Sequence, residues 1–396
     1  MPSTDLYNLS PALRLMAMGL VVALGPLAWV WLRHKQAPLA RRLRLLTLLT
    51  LFLTFDLVLF GAFTRLSDSG LGCPDWPGCY GSATPVGAQL HIEAAQSAMP
   101  TGPVTHAKAW IEMIHRYLAT GVGVLILTLT LTTWLACREE RCRRDRCEKC
   151  GNCLLSPWWP TATLAWVCLQ GAFGALTVTM KLFPLIVTLH LLGGLVLLAL
   201  LRAQAVCYAQ LQGQAQATVL STCVRRLALA AFGLLWLQIA LGGWVSTNYA
   251  VLACTDFPAC QQSLWPAMDW REGFTLWREL GAGHEGASIS LAGLTAIHYG
   301  HRLAAYAVVA ALLLLAACLH RRPAFRRQAR WLAALVLLQV ASGLGNVLLG
   351  WPLAVALMHT GGAAALVVVL TGIVFSSRSL PELVRVSTLK TARFSA

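Results

Sequence analysis

Four histidines, His115, His190, His301 and His359, lie within or at the start of long apolar runs, and two of them are followed at once by arginine, Arg116 and Arg302. A carboxylate, Glu112, precedes His115 by three residues, one helical turn away and on the same face. Ionisable groups at membrane depth are costly unless they face a protein interior and find partners, so such a cluster marks a functional site. Paired imidazoles suit the two axial positions of a haem iron. Zinc suits them less, because two histidines without cysteine or carboxylate company leave a tetrahedral shell half empty. Arginines beside such histidines are candidates to pair with haem propionates, the alternative being snorkelling to lipid headgroups.

The elements that must position these residues are membrane helices. With 57% hydrophobic and 12% charged residues the chain departs from the balance of soluble globular proteins and reads as an all-α integral membrane protein. Runs long enough to cross about 30 Å of hydrocarbon occur at 15–32, 44–63, 113–136, 159–180, 184–203, 226–246, 300–319, 331–349 and 353–375. Of the 31 Lys and Arg, 23 fall in segments 33–44, 137–157, 202–226, 320–330 and 376–396. Basic loops stay cytoplasmic, which predicts a periplasmic amino terminus and a cytoplasmic carboxyl terminus. An acidic lipid surface accounts for the net charge of +15, and no nucleic acid is called for. The first run lacks the basic flank and the cleavage site of a signal peptide and is expected to be a retained extra helix. Nor is the amino terminus an Arg-rich transit peptide, so a bacterial inner membrane is the expected location.

The chain repeats itself. "FGAFTRLSDSGLGCPDWPGC" after the second run pairs with "LGGWVSTNYAVLACTDFPAC" after the sixth, and "IHRYLATGVGV" with "GHRLAAYAVV". "LQGAFGALTV" pairs with "LQVASGLGNVL", and "LIVTLHLLGGLVLL" with "LAVALMHTGGAAALV". Each unit holds four helices, so both enter the membrane from the same side, and a pseudo-twofold axis along the membrane normal is expected between two four-helix bundles. The predicted organisation is an extra helix and linker (1–43), a first bundle (44–205), a linker (206–224), a second bundle (225–375) and a cytoplasmic tail (376–396). The pairs Gly193-Gly194 and Gly361-Gly362 allow close helix approach or make room for a flat ligand. Each bundle receives two of the four repeated histidines. All four are expected at one level near the outer face, roughly 5–10 Å inward at about 1.5 Å per residue.

The ordered set "GAFTRLSDSGLGCPDWPGCYG", "EMIHR", "LQGAFGALTV", "TLHLLGG", "GHR" and "MHTGG" resembles the haem A synthase family over about residues 44–375. That resemblance implies an eight-helix core with pseudo-twofold halves, and oxidation of the C8 methyl of haem O to the formyl of haem A, through a hydroxymethyl and then a hydrate that loses water. It further implies a haem b cofactor on His301 and His359, and haem O as substrate near His115 and His190. A haem O synthase is the implied partner, with cytochrome oxidase assembly factors and homo-oligomerisation left open. The run at 15–32 departs from the family's pattern.

Residues distinguish the halves. Glu112 has His298 at its repeat-equivalent position, so only the first bundle pairs its histidines with a carboxylate. Electron transfer needs closed axial coordination, whereas oxidising a methyl group needs a proton acceptor close by. Glu112 is therefore the candidate acid/base or cation-stabilising group, the plainer alternative being a helix-start carboxylate paired with Arg116. A dihaem electron-transfer cytochrome gives no reason for Glu112 in one half only. A parallel-repeat transporter lacks its broken helices and midplane polar site.

Cys73 and Cys79, and likewise Cys254 and Cys260, share a spacing of six in segments predicted to face outward, where disulfides persist, so two local disulfides are expected. The resemblance suggests that the first can cycle in electron transfer; a structural staple is the alternative. The run containing Cys137, Cys142, Cys147, Cys150 and Cys153 reads as free thiols rather than a metal site. Asp56 is expected to relay protons, contact substrate or make an internal hydrogen bond. Gln170 and Gln339 are expected to bridge helices, and His91, His106, His284 and His298 to lie in solvated loops.

Overall fold

The computed structural model describes residues 10–144, 156–214, 217–283 and 288–379, side chains at 140–144 and 378–379 excepted. Among the described residues nine helices are long and apolar enough to cross a membrane. They are α1 (Ser10–Arg33), α2 (Leu39–Leu66), α4 (His106–Arg144), α5 (Trp158–Thr179), α6 (Pro184–Leu211), α7 (Thr222–Thr247), α9 (Leu291–His320), α10 (Arg326–Leu348) and α11 (Leu353–Ser376). All nine predicted runs are occupied, with α4 and α9 starting several residues earlier than their apolar stretches. Short helices α3 (Gln89–Ala98) and α8 (Trp270–Gly273) lie in the longer connections.

A helix satisfies its backbone internally, which lipid demands, and the sequence places its breakers accordingly. Pro184 opens α6, and Pro38, Pro157 and Pro352 immediately precede α2, α5 and α11. Hydroxyls within α2 are absorbed by the helix itself: Thr47, Thr50 and Thr54 donate to the carbonyls of Leu43, Leu46 and Thr50 at 2.7–2.8 Å. At the ends of α2 and α7 the chain turns through repeat-equivalent left-handed residues, Asp68 (φ 51°) and Tyr249 (φ 54°).

The chain divides into two compact units, Met1–Leu197 and Leu198–Ala396. In the first, α4 packs against α1, α2 and α5. The α1–α4 seam is close because it is lined by Gly19 and Gly121; a Cβ at Gly121 would come within 2.8 Å of Val22 Cγ1. The expected extra helix is thus a packed part of its unit. In the second unit α9 packs on α7 and α10, and α10 on α11. Strands Thr218–Leu220 and Ser377–Ser379 pair in parallel there, a small departure from an otherwise all-helical integral membrane protein.

Both expected disulfides are formed, Cys73–Cys79 and Cys254–Cys260. Their loops match in detail. Asp75 accepts from the backbone N–H groups of Tyr80 (2.5 Å) and Gly81 (2.8 Å), and Asp256 from those of Gln261 and Gln262 (both 2.9 Å). These donors, Gln262 first, hold the Asp256 carboxyl below its ordinary range.

Candidate functional site

Each of the four repeated histidines sits near the start of its helix and rests on a glycine of the preceding long helix. His115 of α4 lies on Gly61 of α2, and His190 of α6 on Gly174 of α5. In the second unit His301 of α9 lies on Gly242 of α7, and His359 of α11 on Gly343 of α10. Each glycine stands five residues before the last of its helix, Leu66, Thr179, Thr247 or Leu348. A Cβ there would meet the imidazole at 3.0 Å (Nε2 of His115), 3.5 Å (Cε1 of His190), 2.9 Å (Cε1 of His301) and 3.4 Å (Cε1 of His359). His115 lies within electrostatic reach of His190, and His301 of His359.

This arrangement fits haem. Four half-buried imidazoles in two pairs each rest on a glycine rather than on a side chain of that helix position, and Nδ1 of His190 is buried with no hydrogen-bond partner. Histidine pairs of this kind match axial ligation of a haem iron, and among the described residues no group of three or more His, Cys, Asp or Glu could hold a bare metal ion.

The glycine seats yield a graded expectation. Alanine in a helix interior is intrinsically about 1 kcal/mol better than glycine, so any loss must come from the imidazole it pushes. Gly242→Ala and Gly61→Ala force a shift at 2.9 and 3.0 Å, whereas Gly174→Ala and Gly343→Ala reach ordinary contact. Bound haem per purified chain should fall clearly in the first two variants and little in the others. Equal retention in all four would show that the seats do not position the rings.

Glu112 is buried and accepts from the backbone N–H of Cys73 at 2.8 Å and from Arg116 of the same helix. Arg116 also donates to the carbonyls of Asp75 (3.0 Å), Pro77 (3.1 Å) and Gly78 (2.5 Å). Arg302 grips the equivalent carbonyls of Asp256 (3.2 Å), Pro258 (3.4 Å) and Ala259 (2.8 Å). Both arginines therefore clamp a disulfide loop above the histidine that precedes them. Glu112 adds a second fastening in the first unit, joining the loop to the helix that carries His115.

Several expectations change. His298 is not in a solvated loop: it is buried in α9, its Nδ1 3.1 Å from the Ala250 carbonyl oxygen, so this half fills the Glu112 position with a ring bonded to backbone. His91 stacks on Tyr80 at 5.3 Å and His106 approaches Glu93 at 3.7 Å, both near the surface; His284 lies outside the described residues. Asp56 is exposed on the face of α2 turned away from Gly61. Gln339 bridges α10 and α11 by donating to the His359 carbonyl at 2.9 Å, and Gln170 packs against Gly193 of α6. Cys137 is buried in α4 and belongs to neither disulfide, and the rest of its cysteine run lies outside the residues whose side chains are described.

Sequence reasoning missed the seat glycines and two further residues. Gln238 Nε2 lies 3.1 and 3.3 Å from the ring nitrogens of His301, and Ser342 Oγ lies 2.9 Å from His359 Nδ1. The repeat held the signal: a glycine recurs in each paired segment at the same distance from the helix end.

The family model described as cytochrome oxidase assembly protein, COX15-CtaA, matches residues 44–371. A protein named Heme A synthase from Shewanella oneidensis is 37% identical over 329 residues, covering 82% of this chain and 93% of its own. Proteins of the same name from Symbiobacterium thermophilum and Bacillus licheniformis are 30% and 25% identical, covering 77% and 81% of this chain and 85% and 90% of theirs. The match begins within α2 and ends within α11, taking in all four histidines and their glycine seats, and the chain belongs to the COX15-CtaA family of cytochrome oxidase assembly proteins.

Proposed function

We propose that this protein, whose relatives carry the name Heme A synthase, is an oxidoreductase that converts the C8 methyl of haem O to the formyl of haem A. The observation that carries this reading is the pair of glycine-seated histidine sites, of which only the first has a buried carboxylate one turn from its histidine. In this reading His301 and His359 hold a haem b, which when bound supplies a one-electron redox centre. Substrate haem O lies against His115 and His190.

Glu112 takes a proton at a carboxylate oxygen or stabilises positive charge as the methyl is oxidised. Arg116 and the Cys73 N–H keep that carboxylate in place. Arg116 and Arg302, anchored on the loops, offer their positive charge to haem propionates. The Cys73–Cys79 loop shields the first site, and its disulfide either staples the loop or passes electrons.

In the bacterial inner membrane that this reading implies, the uneven spread of Lys and Arg supports a periplasmic amino terminus and a cytoplasmic carboxyl terminus. Haem O is too apolar to diffuse freely through water, so a haem O synthase is the natural donor and cytochrome oxidase assembly the destination of the product.

Haem extraction from cells co-expressing the chain with a haem O synthase tests the reading. Haem A, or its hydroxymethyl precursor, should appear only when this chain is present. Unchanged haem O together with two bound haems would instead identify a bis-histidine dihaem electron-transfer cytochrome.

A further inference from the structure

The two units treat their histidines differently beyond the ring itself. In the second, the Ser342 hydroxyl gives its proton to the Leu338 carbonyl at 2.6 Å, so at 2.9 Å it accepts from Nδ1–H of His359. That fixes the tautomer whose Nε2 lone pair is free for iron. Gln238 donates to the His301 carbonyl at 3.1 Å with its amide against the imidazole, and its own Oε1 is buried without a partner. The same Gln238 Nε2 lies 3.1 and 3.3 Å from the two ring nitrogens, so the amide ties the His301 backbone to its ring and fixes the ring's rotation.

The first unit cannot do this. Ungapped extension of the paired segments sets Leu57 opposite Gln238 and Phe173 opposite Ser342. Nδ1 of His190 is buried with no hydrogen-bond partner, and among the described residues His115 is met by the stacked ring of Phe60, 6.3 Å away and 10° from parallel.

We propose that Gln238 and Ser342 are positioning residues that lock the axial imidazoles of a resident haem in the second unit, while Leu57 and Phe173 leave the first unit's imidazoles unlocked so that its haem can be exchanged. The proposal rests on the assignment of cofactor and substrate to the two units made above. A ligating imidazole is usually oriented and made more basic by a partner on its other nitrogen, and removing that partner lowers metal affinity about 10–100-fold. A resident cofactor needs that retention. A substrate haem that must enter and leave as product is hindered by it.

The test follows haem transfer from purified full-length protein to excess apo-myoglobin, together with the low-spin electron paramagnetic resonance signal. Ser342→Ala and Gln238→Leu should speed release of the retained haem by about 10–100-fold and shift its low-spin signal, whereas Ser342→Thr, which keeps an acceptor, should behave as wild type. Phe173→Ser, which adds a partner for His190, should slow release of haem loaded into the first unit, and it reads the proposal in the opposite direction should the other variants fold poorly. Wild-type release rates and spectra in both Ser342→Ala and Phe173→Ser would overturn the proposal. His301→Ala and His359→Ala separate the two claims: a retained haem indifferent to both substitutions would refute the cofactor assignment itself.

Discussion

Replacing His301 or His359 with alanine should abolish the low-spin haem b spectrum of the purified protein, while replacing His115 or His190 should leave most of it. The expectation follows from which imidazoles carry partners. His359 is braced by Ser342 at its ring and Gln339 at its carbonyl, and His301 by Gln238 at both. Losing a bracing group costs about 10–100-fold in metal affinity, and losing the ligand itself should cost more. Haem per chain and the reduced-minus-oxidised spectrum measure the outcome directly. Equal loss from all four variants would mean that the cofactor is not confined to the second unit.

Glu112→Gln should retain haem b and bind haem O yet form haem A about 10²–10⁴-fold more slowly, the range of a general acid–base contribution. Glutamine preserves the size of the side chain and an acceptor for the Cys73 N–H or for Arg116, which keeps three loop carbonyls besides. The loop should therefore stay closed while the ability to ionise is lost. Haem extracts would show haem O, with the hydroxymethyl form accumulating if only the second oxidation fails. A structural role predicts something else: Arg116→Met, which frees the same loop from the other side, would match Glu112→Gln both in haem products and in exposure of the Cys73–Cys79 loop to proteolysis. Wild-type haem A from Glu112→Gln would reduce the carboxylate to a fastening of that loop.

The sequence by itself determined the nine membrane helices found among the described residues, the order of the repeat, the two disulfides and the two-by-two distribution of histidines. These features are local or periodic. Lipid leaves a backbone little choice but helix, a spacing of six closes a small loop wherever it falls, and a repeat copies its pattern whatever its packing. The tertiary structure alone decided what each polar group touches. Arg116 and Arg302, adjacent in sequence to histidines, turn to loop carbonyls about 40 residues away. His298, read as a loop residue, is buried because α9 begins at Leu291, before its apolar run, and brings that ring against Ala250. Asp56 and Gly61 share one helix but opposite faces, and only packing shows which face meets a histidine. Gln238 reaches His301 across 63 residues of chain. No local pattern encodes such a contact, because it depends on the register and rotation of two helices against each other, set by close-packed side chains along their whole lengths.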